Sequence, residues 1–188
     1  MNTDNTDKLV EKIRRRANNP ERRSSASHFA LERFKRDPKW SKPYPPVPVE
    51  RVQQAELKLG FQLPPLLVRL YVEVGNGGFG PGYGLFGLEG GFTDDDTNLT
   101  MPDLYLSWAH PTPGPLPLGL PPPWPKKLIP ICDWGCSMMS CINCSAREGG
   151  KMVFVSDGIQ RTPEKLTFDQ WMEDWIKGVD LFKRATGS

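Results

Sequence analysis

The sequence contains no apolar run long enough to span a membrane, and it has very little histidine. No window of the 188 residues approaches the ~18 to 20 consecutive apolar residues of a transmembrane helix. The residues from Met1 to Asp7 are polar and acidic, so we expect no secretory signal there and a cytoplasmic protein. His28 and His110 are the only histidines, and their separation argues against a cysteine–histidine catalytic pair. The sequence therefore predicts a protein that is not an enzyme.

Cysteine is absent outside one short stretch. The four cysteines are Cys132, Cys136, Cys141 and Cys144, all within thirteen positions. A secreted disulfide scaffold distributes its cysteines along the chain to close loops, so this clustering indicates thiols or metal ligands. Structural zinc sites usually use two separated cysteine pairs, and here little chain is left to fold around a tetrahedral ion. We expect no metal or other cofactor, and a zinc module built on these cysteines is the alternative.

Basic residues are missing from a long central segment. No Lys or Arg lies between Arg69 and Lys126. The first 42 residues hold 12 Lys and Arg against six Asp and Glu, whereas residues 43–188 hold 12 against 16. A basic arm therefore precedes an acidic body. The run from Arg14 to Arg16 fits a solvated helix face or, in the zinc-module alternative, a contact with nucleic acid.

The arm and the body are separated by a proline-rich joint. In the arm we predict a helix over Thr6–Ala17 and a second helical stretch near Ser27–Asp37. Residues 43–48 are predicted to form an extended, polyproline-like joint. We therefore assign residues 1–48 to a basic N-terminal helical arm and residues 49–188 to a single domain.

Short helices and strands are predicted along the body. Apolar periodicity predicts helices over Val49–Leu59, after Leu63-Pro64-Pro65, and from Thr167, where Thr167 and Gln170 form a capping box. Short apolar runs predict strands over residues 127–133 and 151–156, and the glycine-rich residues 79–88 are predicted to lead into a first strand.

Two features of the body stand apart from these elements. Residues 111–125 contain eight prolines, which predicts a surface loop because such a stretch cannot pair regularly in a sheet. Glu56 lies on an otherwise apolar helix face. It is predicted to form an ion pair with Arg69 or to cap backbone groups.

The acidic central segment is also rich in aromatic residues. Aromatic side chains supply interface anchors, and a field of one sign accelerates association with an oppositely charged partner. We therefore predict a protein-binding face in this segment, with a basic protein as the partner and no membrane contact. Its predicted residues are Asp94, Asp95 and Asp96, flanked by Tyr83, Phe86 and Trp108.

The order of several motifs resembles a known family. The motifs are Val52-x3-Glu56-x2-Leu59-Gly60, Leu63-Pro64-Pro65-Leu66-Leu67, Leu70-Tyr71, Asn76-Gly77-Gly78, Cys132-Asp133-Trp134-Gly135-Cys136 and a terminal Phe-x2-Trp-x3-Trp helix. Together they resemble the SUKH superfamily over roughly residues 49–180. This superfamily includes the fungal Smi/Knr cell-wall regulators and many bacterial immunity proteins.

The resemblance implies both a fold and a role. The implied fold is α+β, a curved and mainly antiparallel sheet with helices packed beside it, here with an N-terminal helical arm. The implied role is to bind a protein, typically a toxin that must be neutralised inside the producing cell. Family members share no fixed set of binding residues, so the resemblance assigns no residue a role.

Overall fold

The computed structural model describes residues 3–19, 42–110, 123–145, 150–157 and 160–187. The helices of these residues are α1 (Thr3–Ala17), α2 (Val49–Leu59), α3 (Pro65–Glu73), α4 (Met101–Ala109), α5 (Phe168–Lys177) and α6 (Leu181–Thr186). The strands are β1 (Leu128–Gly135), β2 (Met138–Asn143), β3 (Lys151–Ser156) and β4 (Gln160–Thr167). The predicted helical stretch near Ser27–Asp37 and most of the proline-rich segment lie outside the described residues.

The four strands form one open antiparallel sheet in the order β1-β2-β3-β4. The α+β fold that the sequence predicted is therefore confirmed. A two-residue turn joins β1 to β2, and both its residues, Cys136 and Ser137, have positive φ angles of 52° and 60°. Such a turn matches the twist of a hairpin, although glycine and asparagine usually occupy it.

The two edges of the sheet differ. Along the outer edge of β1, the N–H of Phe86 donates to the carbonyl of Ile131 and Leu85 forms an isolated bridge with Cys132. The glycine-rich residues 79–88 therefore cover this edge as a loop. The prediction that they lead directly into a first strand is wrong. At the other edge, β4 contains Pro163, which cannot donate a ladder hydrogen bond, together with several charged side chains.

The helices share one hydrophobic core on one face of the sheet. The largest fully buried side chains of this core include Trp171, Trp175, Tyr71, Phe79 and Phe92. A separate, smaller apolar cluster on the opposite face contains Leu128, Cys141, Val153 and Val155. Trp171 and Trp175, which lie in the helix predicted to start at Thr167, are core residues.

Helix α1 of the arm belongs to the main core. Its apolar face, Leu9, Val10, Ile13 and Ala17, is buried, and the helix packs against α3 and α5. Arg69 of α3 binds Glu73 through two nitrogens and also binds Asp7 of α1 at 2.6 Å. Apolar burial and ion pairs therefore both attach the arm helix to the body.

None of the helices in the described part of the chain combines the length and the apolar character needed to cross a membrane.

Candidate functional site

The loop that carries three consecutive aspartates holds them in different environments. Asp94 is buried, and its carboxylate accepts from the Thr97 N–H at 2.8 Å and from the Thr97 hydroxyl at 2.6 Å. These bonds close a turn within the loop, so Asp94 shapes the loop instead of lying on an exposed face as predicted. Asp95 is partly exposed and Asp96 is exposed.

A fourth aspartate, Asp133, joins this group from near the end of β1. Its carboxylate accepts from the Gly135 N–H at 2.7 Å. Burial, together with the negative charges of Asp94 and Asp96, raises the pKa of Asp133 to about 6. The loop aspartates therefore lie close to the end of β1.

Tyr83 packs beside Asp133. The Tyr83 N–H donates to the Asp133 carbonyl at 2.9 Å, and its hydroxyl would lie 2.7 Å from a Cβ placed on Gly135. Gly135 also has a φ of +86°, so both backbone conformation and space favour glycine at this position. Tyr83, Asp96 and Asp133 together are called the Asp133 surface below.

The prediction that Phe86 lies on an exposed face is wrong. Phe86 is only 1% exposed. Its carbonyl accepts from the hydroxyl of Tyr71 at 2.8 Å, and its N–H donates to Ile131 in β1. The aromatic content of the acidic segment predicted an interface, but Phe86 instead helps to dock the glycine-rich loop against the edge of the sheet.

Trp108 lies away from the Asp133 surface. It is at the end of α4 and contacts Trp124 with ring centroids 4.5 Å apart. The Trp124 ring nitrogen donates to the Leu128 carbonyl at the start of β1, ~17 Å along the strand from Asp133. The structure therefore groups Tyr83 with the aspartates and separates Trp108 from them.

The sequence analysis did not predict Asp133 as a site residue. Asp133 appeared only within the motif Cys132-Asp133-Trp134-Gly135-Cys136, with no role assigned. Its proximity to Asp94 and Asp96 depends on a loop some 40 residues earlier docking along β1. An acidic residue at the end of a predicted strand was the one available signal, and it is a weak one.

The cysteines do not converge on one point. Cys132 belongs to the main core, whereas Cys141 belongs to the cluster on the opposite face of the sheet. Cys136 is exposed in the hairpin turn, and burial raises the pKa of Cys132, Cys141 and Cys144. Within the described residues, no three His, Cys, Asp or Glu side chains form a metal-binding group. The alternative zinc site that uses all four cysteines is therefore not assembled.

The arginines of the arm bind groups of the chain itself. Arg14 donates to the Glu73 carbonyl and binds Glu11, and the Arg16 guanidinium lies over the Trp175 ring, 4.6 Å from its centroid. Arg15 is largely exposed and pairs with Glu11. Two of the three arginines thus bind the folded domain, which weakens the nucleic-acid alternative.

Two motif residues hold backbone groups. The carboxylate of Glu56 accepts from the Leu63 N–H at 2.7 Å, so the capping role predicted for it is confirmed and Arg69 binds elsewhere. Asn76 is buried and forms hydrogen bonds with the backbone of Leu88 and Glu89. These motif residues maintain the fold of the helix-to-loop segment and contribute nothing to the Asp133 surface.

The fold and these motif contacts define an α+β domain with an open antiparallel sheet, helices on one face and an Asn-Gly-Gly turn after α3. The model of the SMI1 / KNR4 family (SUKH-1) matches residues 46–174, and the chain belongs to this family. Helix α1 and α6 lie outside the matched residues. No curated protein and no solved structure gives a significant match to the chain.

Proposed function

We propose that this chain is a non-enzymatic, cytoplasmic protein-binding module, an immunity protein that neutralises a basic toxin domain in a bacterial cell. Membership of the SUKH-1 family supports the binding role, because the SUKH superfamily includes many bacterial immunity proteins. The observation that carries the proposal is that Asp96 lies close enough to Asp133 to raise its pKa, next to Tyr83, whose N–H donates to the Asp133 carbonyl.

The charges of this surface fit a cationic partner. No Lys or Arg occurs between Arg69 and Lys126, so the chain segment that supplies Asp96 contains no basic residue of its own. A nuclease-type toxin carries a basic site because it binds phosphates, and a group of carboxylates resembles that ligand in charge. The field of the aspartates would accelerate the encounter, and Tyr83 would contribute apolar contact after docking.

The first test is whether a neighbouring gene encodes a toxin-like domain, and the second is an association experiment between that domain and this chain. We expect binding whose association rate falls steeply with salt, and replacement of Asp95 and Asp96 by asparagine should slow association about tenfold at low salt. The matched control replaces two exposed carboxylates on other elements, Asp4 of α1 and Glu50 of α2, by asparagine and glutamine. No binding at any salt concentration, or equal slowing by both double variants, would contradict the proposal.

A further inference from the structure

Four exposed lysines lie at one end of the sheet. That end is marked by a row of register partners that crosses all four strands, namely Leu128, Asn143, Lys151 and Thr167. One of the lysines belongs to this row, two directly precede β1, and the fourth lies two positions before the last residue of β4. We call these four residues the lysine end: Lys126, Lys127, Lys151 and Lys165.

Strand pairing brings the lysine end together from separate parts of the chain. The N–H of Cys144 donates to the carbonyl of Lys127 at 2.8 Å, so the contact between β1 and β2 continues to Lys127. Neighbouring strands lie ~4.8 Å apart, so the row from β1 to β4 is ~14 Å wide. Asp133 lies ~17 Å farther along β1 from the start of this row. The sheet therefore has a basic end and an acidic end.

The charges of the lysine end are not neutralised within the described residues. None of the four lysines forms an ion pair there, whereas Lys8 and Lys177 on the helices each pair with a carboxylate. Glu164, which directly precedes Lys165, has both carboxylate oxygens shielded from solvent. Unpaired ammonium groups that share one end of a domain create a positive field, and such a field attracts polyanions.

Lys127 has a backbone conformation that disfavours its residue type. Its φ is 62°, in the left-handed region where glycine and asparagine are usual. The backbone is held there because the Lys127 N–H donates to the Tyr105 hydroxyl at 3.1 Å. The ammonium lies 6.0 Å from the centroid of the Phe61 ring, and the residue stays exposed. A lysine kept at a strained position without an ion pair indicates a contact outside the chain.

We propose that the lysine end binds the phosphate backbone of nucleic acid. Backbone contacts take their affinity from lysine and phosphate charges and need no apolar contact. A protein partner needs a buried aromatic or aliphatic anchor, and stable membrane binding needs an apolar anchor in addition to a basic patch. The exposed large hydrophobic residues of the described chain, Val49 and Leu57, both lie on α2. The lysine end is separate from the arm arginines and from the Asp133 surface, so the proposal does not depend on the function proposed above.

The test is a titration of the full chain against a fluorescein-labelled thymidine oligonucleotide of about 20 nucleotides, followed by fluorescence anisotropy. Four phosphate contacts on a single strand predict that log K for association falls with log salt concentration with a slope of about −3. Binding should therefore weaken about fiftyfold between about 50 mM and 200 mM salt. Replacing all four lysines of the lysine end by glutamine should weaken binding at low salt at least about tenfold and bring the slope close to zero.

The matched control removes the same number of positive charges from positions that form ion pairs. It replaces these residues by glutamine: Lys8, Arg15, Lys177 and Arg184. Because both quadruple variants lower the net charge by the same amount, only the place of the lost charges differs. We expect the control to keep the slope of the unmodified chain and at least about half of its affinity.

Lys127→Gly separates the charge of this residue from a structural role. Glycine adopts the positive φ without strain, so the variant should keep the thermal midpoint and reduce the slope by about 0.7. Three results would overturn the proposal. They are no binding by the unmodified chain at low salt, equal losses in the two quadruple variants, and tighter binding of polyglutamate or of phosphatidylserine vesicles than of the oligonucleotide.

Discussion

Asn76 holds the backbone of Leu88 from both sides. Its side-chain oxygen accepts from the Leu88 N–H at 2.7 Å, and its side-chain nitrogen donates to the Leu88 carbonyl at 3.3 Å. The same nitrogen also donates to Glu89. One buried amide thus fixes the end of the glycine-rich loop against the turn that follows α3.

Replacing Asn76 by alanine should therefore destabilise the domain strongly. The change leaves one N–H and two carbonyls without their partner in a buried region, and we expect a loss of ~3 kcal/mol in unfolding free energy. Asn18→Ala, which removes one hydrogen bond from an exposed position, should change it by less than ~0.5 kcal/mol. Urea denaturation of both variants measures the difference, and equal losses would contradict the assigned role.

Gly135→Ala should disturb Tyr83 as well as the backbone. Gly60 provides a matched control, because its φ of +77° is similar but a Cβ there would meet nothing within 4 Å. We expect each substitution to cost ~1 to 2 kcal/mol of unfolding free energy from backbone conformation. Only Gly135→Ala should also shift the Tyr83 ring resonances in NMR spectra. Unchanged Tyr83 resonances would show that the hydroxyl does not lie over Gly135.

Ile13→Ala tests whether α1 is part of the core. Ile13 is fully buried, so we expect a loss of ~2 to 4 kcal/mol in unfolding free energy and no separate melting transition for the arm. Arg15→Ala on the same helix changes a side chain that is 75% exposed, and we expect a loss below ~0.5 kcal/mol. If both variants melt like the unmodified chain, the packing of α1 does not contribute to stability.

Asp133→Asn should stabilise the chain in a pH-dependent way. Because the pKa of Asp133 is raised in the folded chain, protonation of its carboxyl favours the folded state. This contribution to the unfolding free energy is complete below the ordinary pKa of 3.8 and is lost as the pH rises through about 6. The uncharged variant should gain ~1 kcal/mol in unfolding free energy at pH 8, discounted for partial exposure, and nothing at pH 4. Asp96→Asn removes one of the charges that raise the pKa of Asp133, so it should reduce the same pH dependence only in part. An Asp133→Asn gain that does not vary with pH would contradict this interpretation.

The sequence predicted the elements whose signals are local. The helix over Val49–Leu59 is confirmed and ends at Gly60 in the left-handed conformation. The predicted capping box is present, with the Thr167 hydroxyl accepting from the Gln170 N–H and the Gln170 side chain accepting from the Thr167 N–H. Both depend on residues within a few positions of each other, so spacing alone was sufficient.

Elements defined by distant contacts were not predicted. Strand β4 has the sequence Gln-Arg-Thr-Pro-Glu-Lys-Leu-Thr. Its proline and charged residues do not match the pattern of a strand, so only its pairing with β3 identifies it as an edge strand. Helix α4 is apolar at most of its positions, so it gave no clear period. The Asp133 surface depends on a loop docking against a strand, and no spacing in the sequence reports that contact.

The unequal edges of the sheet have a consequence for how copies of this chain meet. Growth of a sheet from molecule to molecule needs a row of free backbone donors and acceptors along an edge. Residues 79–88 occupy that row along β1, and at β4 Pro163 and its charged neighbours interrupt it. Strand-to-strand stacking into fibrils therefore has no starting edge among the described residues, and the folded chain should tolerate the high local concentrations at which less protected sheets aggregate.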